Sequence, residues 1–505
     1  MEYVVIAAYF AILLVIGVVA GRRIANLDDY YAGGKNLGYW VVAFSSRASG
    51  ESAWLYLGLT GLGALVGARA YWVVVGEVVG VAITWFLMAG PFKRETDRFD
   101  SITIPDYLVS RFGAPGHERA AQALRLIAAA ALAVFVTIYV SAQIDATGKA
   151  FNTFLEWNYY TGALVGFGIV VAYTLSGGFV AVAWSDLVQG LMMLLGLCVL
   201  PVAAIIALSS EPVLVGGMAG LADGYTSLWG AGGPSLSNCL IIVSYLAIGL
   251  GFMGAPQVFV RFIAIRDQGE IRKGRWVAIA FTILTDGCAV LAGMLGHALL
   301  VGGSGGAEFS AVLGAGGEQV LPEMVDRLFL APVVGLYIAA VLAAIMSTID
   351  SLLLVASSAV TRDVYQQMLK PDLRPESLIG LSRAVTFGLA LVALGMALGV
   401  SLVSPDRTIF WYVIFGWSGI AATFCPVMIL ALSWQRYNVW GALASMLTGA
   451  LGVPLFKFAV PLIPGIGPVV SQIEELAPAF LLSLLVGAMA TIATSPARGT
   501  GGRSR

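Results

Sequence analysis

The chemistry available to this chain is concentrated in a few short stretches. Residues 45–54 read SSRASGESAW, where Arg47 and Glu51 stand one helical turn apart among serines and Gly50. Residues 343–361 read AAIMSTIDSLLLVASSAVT, where Ser347, Thr348, Asp350 and Ser351 crowd together. Hydroxyl and carboxylate oxygens are hard donors that suit an alkali cation, and soft-metal ligands are missing beside them. An i,i+4 spacing puts Ser347 and Ser351 on one helix face. Small polar residues around a glycine weaken a helix, so 45–54 predicts a local break. Carbonyls freed at such a break can take a cation. A third stretch, YTLSGGFVAVAWSD over 173–186, predicts a tight turn at Gly177 and Gly178 and then a helix carrying Asp186.

The elements that position these groups are membrane spans. Apolar residues make up 59% of the 505 and charged residues only 11%. Soluble domains run at roughly 45–50% and about 25%. With a mean hydropathy of +0.88, the chain reads as an integral membrane protein. A span needs about 20 apolar residues. About thirteen stretches qualify: 3–21, 39–66, 70–92, 122–152, 160–177, 182–209, 236–262, 275–301, 329–361, 377–400, 407–432, 437–458 and 475–494. The first is long enough to span and lacks a basic leader, so it reads as a helix rather than a cleaved signal.

Lys and Arg alternate between the connections. One set carries Arg22, Arg23, Lys35, Lys93, Arg94, Arg98, Arg111, Arg119, Arg266, Arg272, Lys273, Arg362, Lys370, Arg374, Arg436 and the tail arginines. The opposite set holds little besides Arg69, Arg327 and Arg407. The excess belongs in the cytoplasm, which places the N-terminus outside and the C-terminus inside, in the plasma (inner) membrane. Residues 93–121 form a basic loop with a short amphipathic piece, IPDYLVSRF, while 210–235 and 302–328 are Gly-rich outer loops. One polytopic domain over 1–495 and a disordered cytoplasmic tail over 496–505 account for the chain.

Other classes lack support. A net charge of −1 points to no nucleic-acid partner. Cys198, Cys239, Cys288 and Cys425 are scattered without a CxxC pair and read as inert thiols. His117 and His297 are too few for a histidine metal site, and no nucleophile–base pair or phosphate loop suggests an enzyme. The implied partners are the bilayer and a small solute, with no obligate protein partner indicated.

Ionisable groups inside spans are functional candidates by default. They are Arg47, Glu51, Glu77, Asp145, Lys149, Asp186, Asp286, His297, Asp350 and Arg383. Asp145 and Lys149 read as an i,i+4 pair, Asp286 and His297 as groups satisfied within the bundle, and Arg383 as a snorkelling side chain. Ser357 and Ser358 read as helix back-bonding or close-packing residues. Arg47 is either the partner of Glu51 or a fork for a solute carboxylate.

At these motifs the chain resembles the sodium:solute symporter family, in particular its sodium/proline branch. DDYYAGGKNLG (28–38), ASGESAWLYLGLTG (48–61), TIPDYLVSRF (103–112), YTLSGGFVAVAWSD (173–186), GLGFMGAPQVFVRFIA (249–264) and AAIMSTIDSLLLVASSAVTRDVY (343–365) follow that branch in order. The resemblance runs from about residue 3 to 495, with weaker motifs after 400. It implies an all-α, LeuT-like fold of five plus five inverted helices, with repeats over roughly 39–209 and 236–432. The first helix of each repeat would be broken, the second break falling at Gly249, Gly251, Gly254 and Pro256.

Carried across by position, the main sodium site falls on Ala48, Glu51, Ala344, Ser347 and Thr348. A second sodium site, present in some members, falls on Asp186, Ser347, Asp350 and Ser351. Solute contacts fall on Ser52, Ala53, Tyr139, Ile248, Phe252 and Pro256. The chain departs from the branch in places: Gly50 stands where the branch has an aspartate, and Glu51 stands next door for an apolar residue. Ile248 and Phe252 replace a tryptophan and a tyrosine, and Arg47 replaces a small residue. The expected activity is sodium-coupled import of a small carboxylate-bearing solute, an amino acid such as proline first. Proton coupling, a sugar or monocarboxylate solute, and a non-transporting membrane sensor are the alternatives.

Overall fold

The computed structural model describes residues 1–22, 27–210, 223–301, 312–373 and 378–495. The expected tail over 496–505 and the parts of the Gly-rich loops at 211–222 and 302–311 lie outside them.

The described residues are helical almost throughout. Among the described residues eleven helices are long and apolar enough to cross a membrane, so the protein is a multi-pass membrane protein. The difference from the expected thirteen has a structural cause. Tyr159–Leu175 is apolar but short, and the expected span over 39–66 is divided, its second half running on within Trp54–Arg98.

Helix α1 (Glu2–Gly21) leads to α2 (Tyr39–Glu51), a wide-turned stretch Trp54–Leu59, α3 (Thr60–Val66) and α4 (Tyr71–Ile83). A short helix, α5 (Ile104–Phe112), starts where the Thr103 hydroxyl accepts the Asp106 amide at 3.1 Å. Then come α6 (Glu118–Leu155), α7 (Tyr159–Leu175) and α8 (Gly178–Ser209). Gly178 takes φ +57° between the last two, at the turn expected from the GG pair. The second broken element is α9 (Leu236–Ala247), a tight 3₁₀ stretch Ile248–Met253, and α10 (Pro256–Ala264). The chain ends with α11 (Gln268–Leu300), α12 (Val320–Leu328), α13 (Ala331–Ser358), α14 (Leu378–Val403), α15 (Ile409–Ser433), α16 (Val439–Pro454) and α17 (Leu476–Thr494).

Burial sorts these helices into a centre and a rim. The most apolar window of Ala331–Leu369 is 100% buried, whereas that of Leu378–Val403 is 22% buried. A helix that is apolar all round and buried all round belongs in the middle of a bundle. Accordingly α13 packs against α1, α2, α6, α14 and the α7–α8 pair. The exposed Leu, Ile and Val of α1, α14 and α17 face the lipid.

The two broken elements are tied together at one end. The Leu37 amide donates to the Ala264 carbonyl and the Arg266 amide to the Leu37 carbonyl, both at 3.0 Å. The approach to α2 is thereby fixed to the end of α10.

Candidate functional site

The first break falls at Ser52, which takes φ +63° and ψ −169°. The break therefore lies within the weakened stretch 45–54, at one of its serines, while Gly50 stays helical. Its role is spatial: a Cβ there would lie 2.6 Å from Cε1 of Phe252. The second break falls at Gly254 with φ +154°, a conformation that L-side chains avoid, and Pro256 starts α10.

Around Ser52 the chain gathers a polar and aromatic cluster. The Tyr139 hydroxyl donates to Ser52 Oγ at 3.3 Å, and Gln143 Nε2 donates to the same oxygen at 3.2 Å. The Ala53 amide donates to Gln143 Oε1 at 3.1 Å, which occupies a donor that the break exposes. Trp417 closes the group. Its ring centroid is 4.9 Å from that of Phe252 and 6.4 Å from that of Tyr139, and its Nε1 donates to the Ile248 carbonyl at 2.9 Å. Of the expected solute residues, Ser52, Ala53, Tyr139, Ile248 and Phe252 therefore share one neighbourhood, while Pro256 is buried at the start of α10. Gln143 and Trp417 carried no signal in the motifs.

The hydroxyl pair of α13 meets the broken helix. Ser347 Oγ donates toward the carbonyls of Ala48 and Ala344 at 3.0 and 3.1 Å. Thr348 Oγ1 reaches the carbonyls of Ala344 and Ser49 at 3.2 and 3.4 Å. Two hydroxyls and three backbone carbonyls from α2 and α13 thus converge, an all-oxygen arrangement that suits a hard cation. The side chain of Glu51 is turned elsewhere, onto Arg47.

Asp186, Asp350 and Ser351 also come together, around a residue that the sequence reading did not single out. Arg261 of α10 is 1% exposed, and its Nη2 donates to Asp186 Oδ2 at 3.0 Å, Ser49 Oγ at 2.6 Å and Ser351 Oγ at 2.5 Å. Its Nε donates to Ser45 Oγ at 3.0 Å and its Nη1 to the Gln257 carbonyl at 2.6 Å. Asp350 stands one bond further out, accepting from Ser351 at 3.1 Å and from Tyr173 at 2.8 Å. A guanidinium nitrogen therefore lies between Asp186 and Ser351, where a second cation was expected. A signal was present in the sequence, since Arg261 sits inside the apolar run PQVFVRFIA.

Arg47 pairs with Glu51 and, at 3.1 Å, with Glu77 of α4. Its guanidinium carbon stacks 4.5 Å from the centre of the Phe252 ring. The Asp145–Lys149 pair is present at 3.9 Å, but Asp145 also takes Arg407 and the Tyr159 hydroxyl, and Lys149 takes Glu318 at 3.3 Å. Ser358 bonds back to the Val355 carbonyl at 2.7 Å, and Ser357 crosses to the Ser382 carbonyl of α14 at 3.0 Å.

Comparison with known proteins accounts for this architecture. The model of the sodium:solute symporter family matches residues 30–449. A high-affinity proline transporter of Bacillus subtilis is 34% identical over 460 residues, covering 90% of this chain and 93% of that protein. A sodium/proline symporter of Escherichia coli is 33% identical over 460 residues, covering 90% and 87%. Among solved structures, a Na+-coupled sialic acid symporter in a substrate-bound, outward-open state superposes with a TM-score of 0.77 at 17% identity, covering 98% of both chains. MhsT in complex with L-phenylalanine matches with a TM-score of 0.51 at 15% identity, covering 90% of this chain and 98% of that one. At these identities the likeness concerns the fold, which is the LeuT-like helical arrangement.

Proposed function

Because the chain belongs to the sodium:solute symporter family, we propose that it imports a small carboxylate-bearing solute, an amino acid such as proline first, together with sodium. The observation that carries this reading is the 3.0 Å approach of the Ser347 hydroxyl to the Ala48 carbonyl. It joins the broken end of α2 to the central helix α13 through oxygens alone. On this reading sodium is held by the carbonyls of Ala48, Glu51 and Ala344 and the hydroxyls of Ser347 and Thr348. An ion bridging α2 and α13 favours the arrangement in which those helices are close, and that differential affinity is the source of coupling. The solute lies beside the break at Ser52, among Ala53, Tyr139, Ile248, Phe252 and Pro256, with Arg47 able to face a carboxylate. Proline is the solute named for the curated relatives, which supports an amino acid over a sugar.

The second cation position at Asp186, Asp350 and Ser351 is filled by Arg261 in this arrangement, and an ion enters there only if the guanidinium withdraws. Alternating access moves two inverted repeats, about 39–209 and 236–432, within one transmembrane domain over 1–495. The Lys and Arg distribution supports a plasma (inner) membrane location with the N-terminus outside and the C-terminus in the cytoplasm. The test is uptake of labelled amino acids into proteoliposomes. Accumulation should require inward sodium; equal accumulation with potassium outside and an imposed proton gradient would exclude sodium coupling.

A further inference from the structure

A second group of oxygens lies on another face of α2, apart from the hydroxyls of α13. Glu51, Glu77 and Asp286 each place a carboxylate oxygen within 4.8 Å of the other two, and all three residues are fully buried. They come from three helices: α2, α4 and α11. Among the described residues, the ion pairs made by these acids all come from Arg47, which holds Glu51 and Glu77. Asp286 accepts the Thr285 hydroxyl at 2.9 Å on one oxygen. A second oxygen of each acid, Glu51 Oε2, Glu77 Oε1 and Asp286 Oδ2, is buried and receives no donor from any other described residue, and the Glu77 and Asp286 carboxyls face one another at hydrogen-bond range.

Three acids facing one guanidinium in the membrane interior are poorly compensated, and a buried carboxylate without a partner is costly. A small hard cation removes that cost. Oxygens bound to one ion at about 2.3–2.6 Å stand no more than about 5 Å from one another, and these three lie within 4.8 Å. We propose that Glu51, Glu77 and Asp286 bind a small alkali cation, sodium in this chain, at a site separate from Ser347 and Thr348. Arg47 is the fixed counter-charge that keeps the acids together between binding events. Its fixed charge also weakens the site, as an ion that must be released requires.

Two contacts link this site to transport. Arg47 stacks on Phe252, and Glu51 immediately precedes the break at Ser52. Occupation of the site therefore bears on the helix end that faces the solute. That role rests on the symport reading, whereas binding of the ion does not.

The experiment is equilibrium binding of radioactive sodium to the purified full-length chain in detergent at fixed neutral pH. Wild type should bind two ions per chain, and the Ser347→Ala/Thr348→Ala variant should keep one. Glu77→Gln and Asp286→Asn should each lose one ion, or bind it with affinity lower by roughly tenfold or more. Asp286→Asn leaves both partners of Arg47 in place, so it serves if Glu77→Gln fails to fold. Wild-type binding of a single ion would overturn the proposal, as would unchanged number and affinity in both folded variants. The latter is also the result expected if the acids hold protons instead. Displacement of this sodium by calcium at much lower concentration would overturn the assignment to an alkali ion. A wild type that binds two ions but accumulates no solute would count against the symport reading alone.

Discussion

Removing the α13 hydroxyls one at a time should move the sodium dependence of uptake and little else. Ser347 Oγ lies 3.0 Å from the Ala48 carbonyl and 3.1 Å from its own-helix carbonyl at Ala344. Thr348 Oγ1 lies 3.2 Å from Ala344 and 3.4 Å from Ser49. Without an ion each hydroxyl makes ordinary neutral hydrogen bonds, whose loss costs about 0.5–1.5 kcal/mol of stability. With an ion bound each hydroxyl oxygen contacts a full charge, an interaction of about 1.5–3 kcal/mol. The half-saturating sodium concentration should therefore rise roughly 10- to 150-fold in Ser347→Ala and in Thr348→Val, which keeps the side-chain volume. Folded yield should fall only modestly in both. The assay is initial uptake into proteoliposomes across a sodium series, with size-exclusion profiles to normalise for folded protein. Half-saturation within about twofold of wild type in both folded variants would refute the ligand role, because a hydroxyl on the ion could not be lost at so small a cost.

The other expectations follow from the buried pairs and the two breaks. Arg261→Ala leaves Asp186 unpaired in the interior and should cost about 3–5 kcal/mol, read as loss of monodisperse protein, whereas Arg261→Met with Asp186→Leu should recover yield; equal yields would refute the pairing. Arg47→Met should lower folded yield far more than Glu51→Gln, since it strips the guanidinium from Glu51 and Glu77 at once, and the reverse order in a thermal-stability assay would count against the shared pair. Gly50→Ala should weaken solute affinity and Phe252→Leu should restore it, because the new Cβ would lie 2.6 Å from the Phe252 ring; an unchanged affinity would separate Gly50 from the solute region. Ser52→Ala should lower solute affinity with half-saturating sodium unchanged, given the bonds of Ser52 to Tyr139 and Gln143, and a change in sodium alone would move Ser52 out of the solute group.

Much of this protein is written locally. Composition and span length decide that the chain lives in a bilayer, because apolar stretches of about 20 residues have few other homes. Residue type and spacing mark the hydroxyls of α13, the weakened helix at 45–54 and the glycine-rich break before Pro256, since helix propensity and i,i+4 facing act within a turn or two. Which residue breaks the first helix was not legible. Gly50 has the propensity, but the turn falls at Ser52, whose hydroxyl is bonded by Tyr139 and Gln143 from α6. The pairing of buried charges was not legible either. Arg261 reads as one cation in a greasy nonapeptide, yet its partners Asp186, Ser351 and Ser49 lie 75, 90 and 212 residues away. Asp286 reads as an acid satisfied within the bundle, and only the packing of α2, α4 and α11 brings it to Glu51 and Glu77. The local pattern therefore determines which groups enter the membrane, while the packing of helices remote in sequence decides which of them meet. The physical reason is range: helical periodicity extends over a few residues, whereas the interaction of two charges in a dry interior depends on their distance in space.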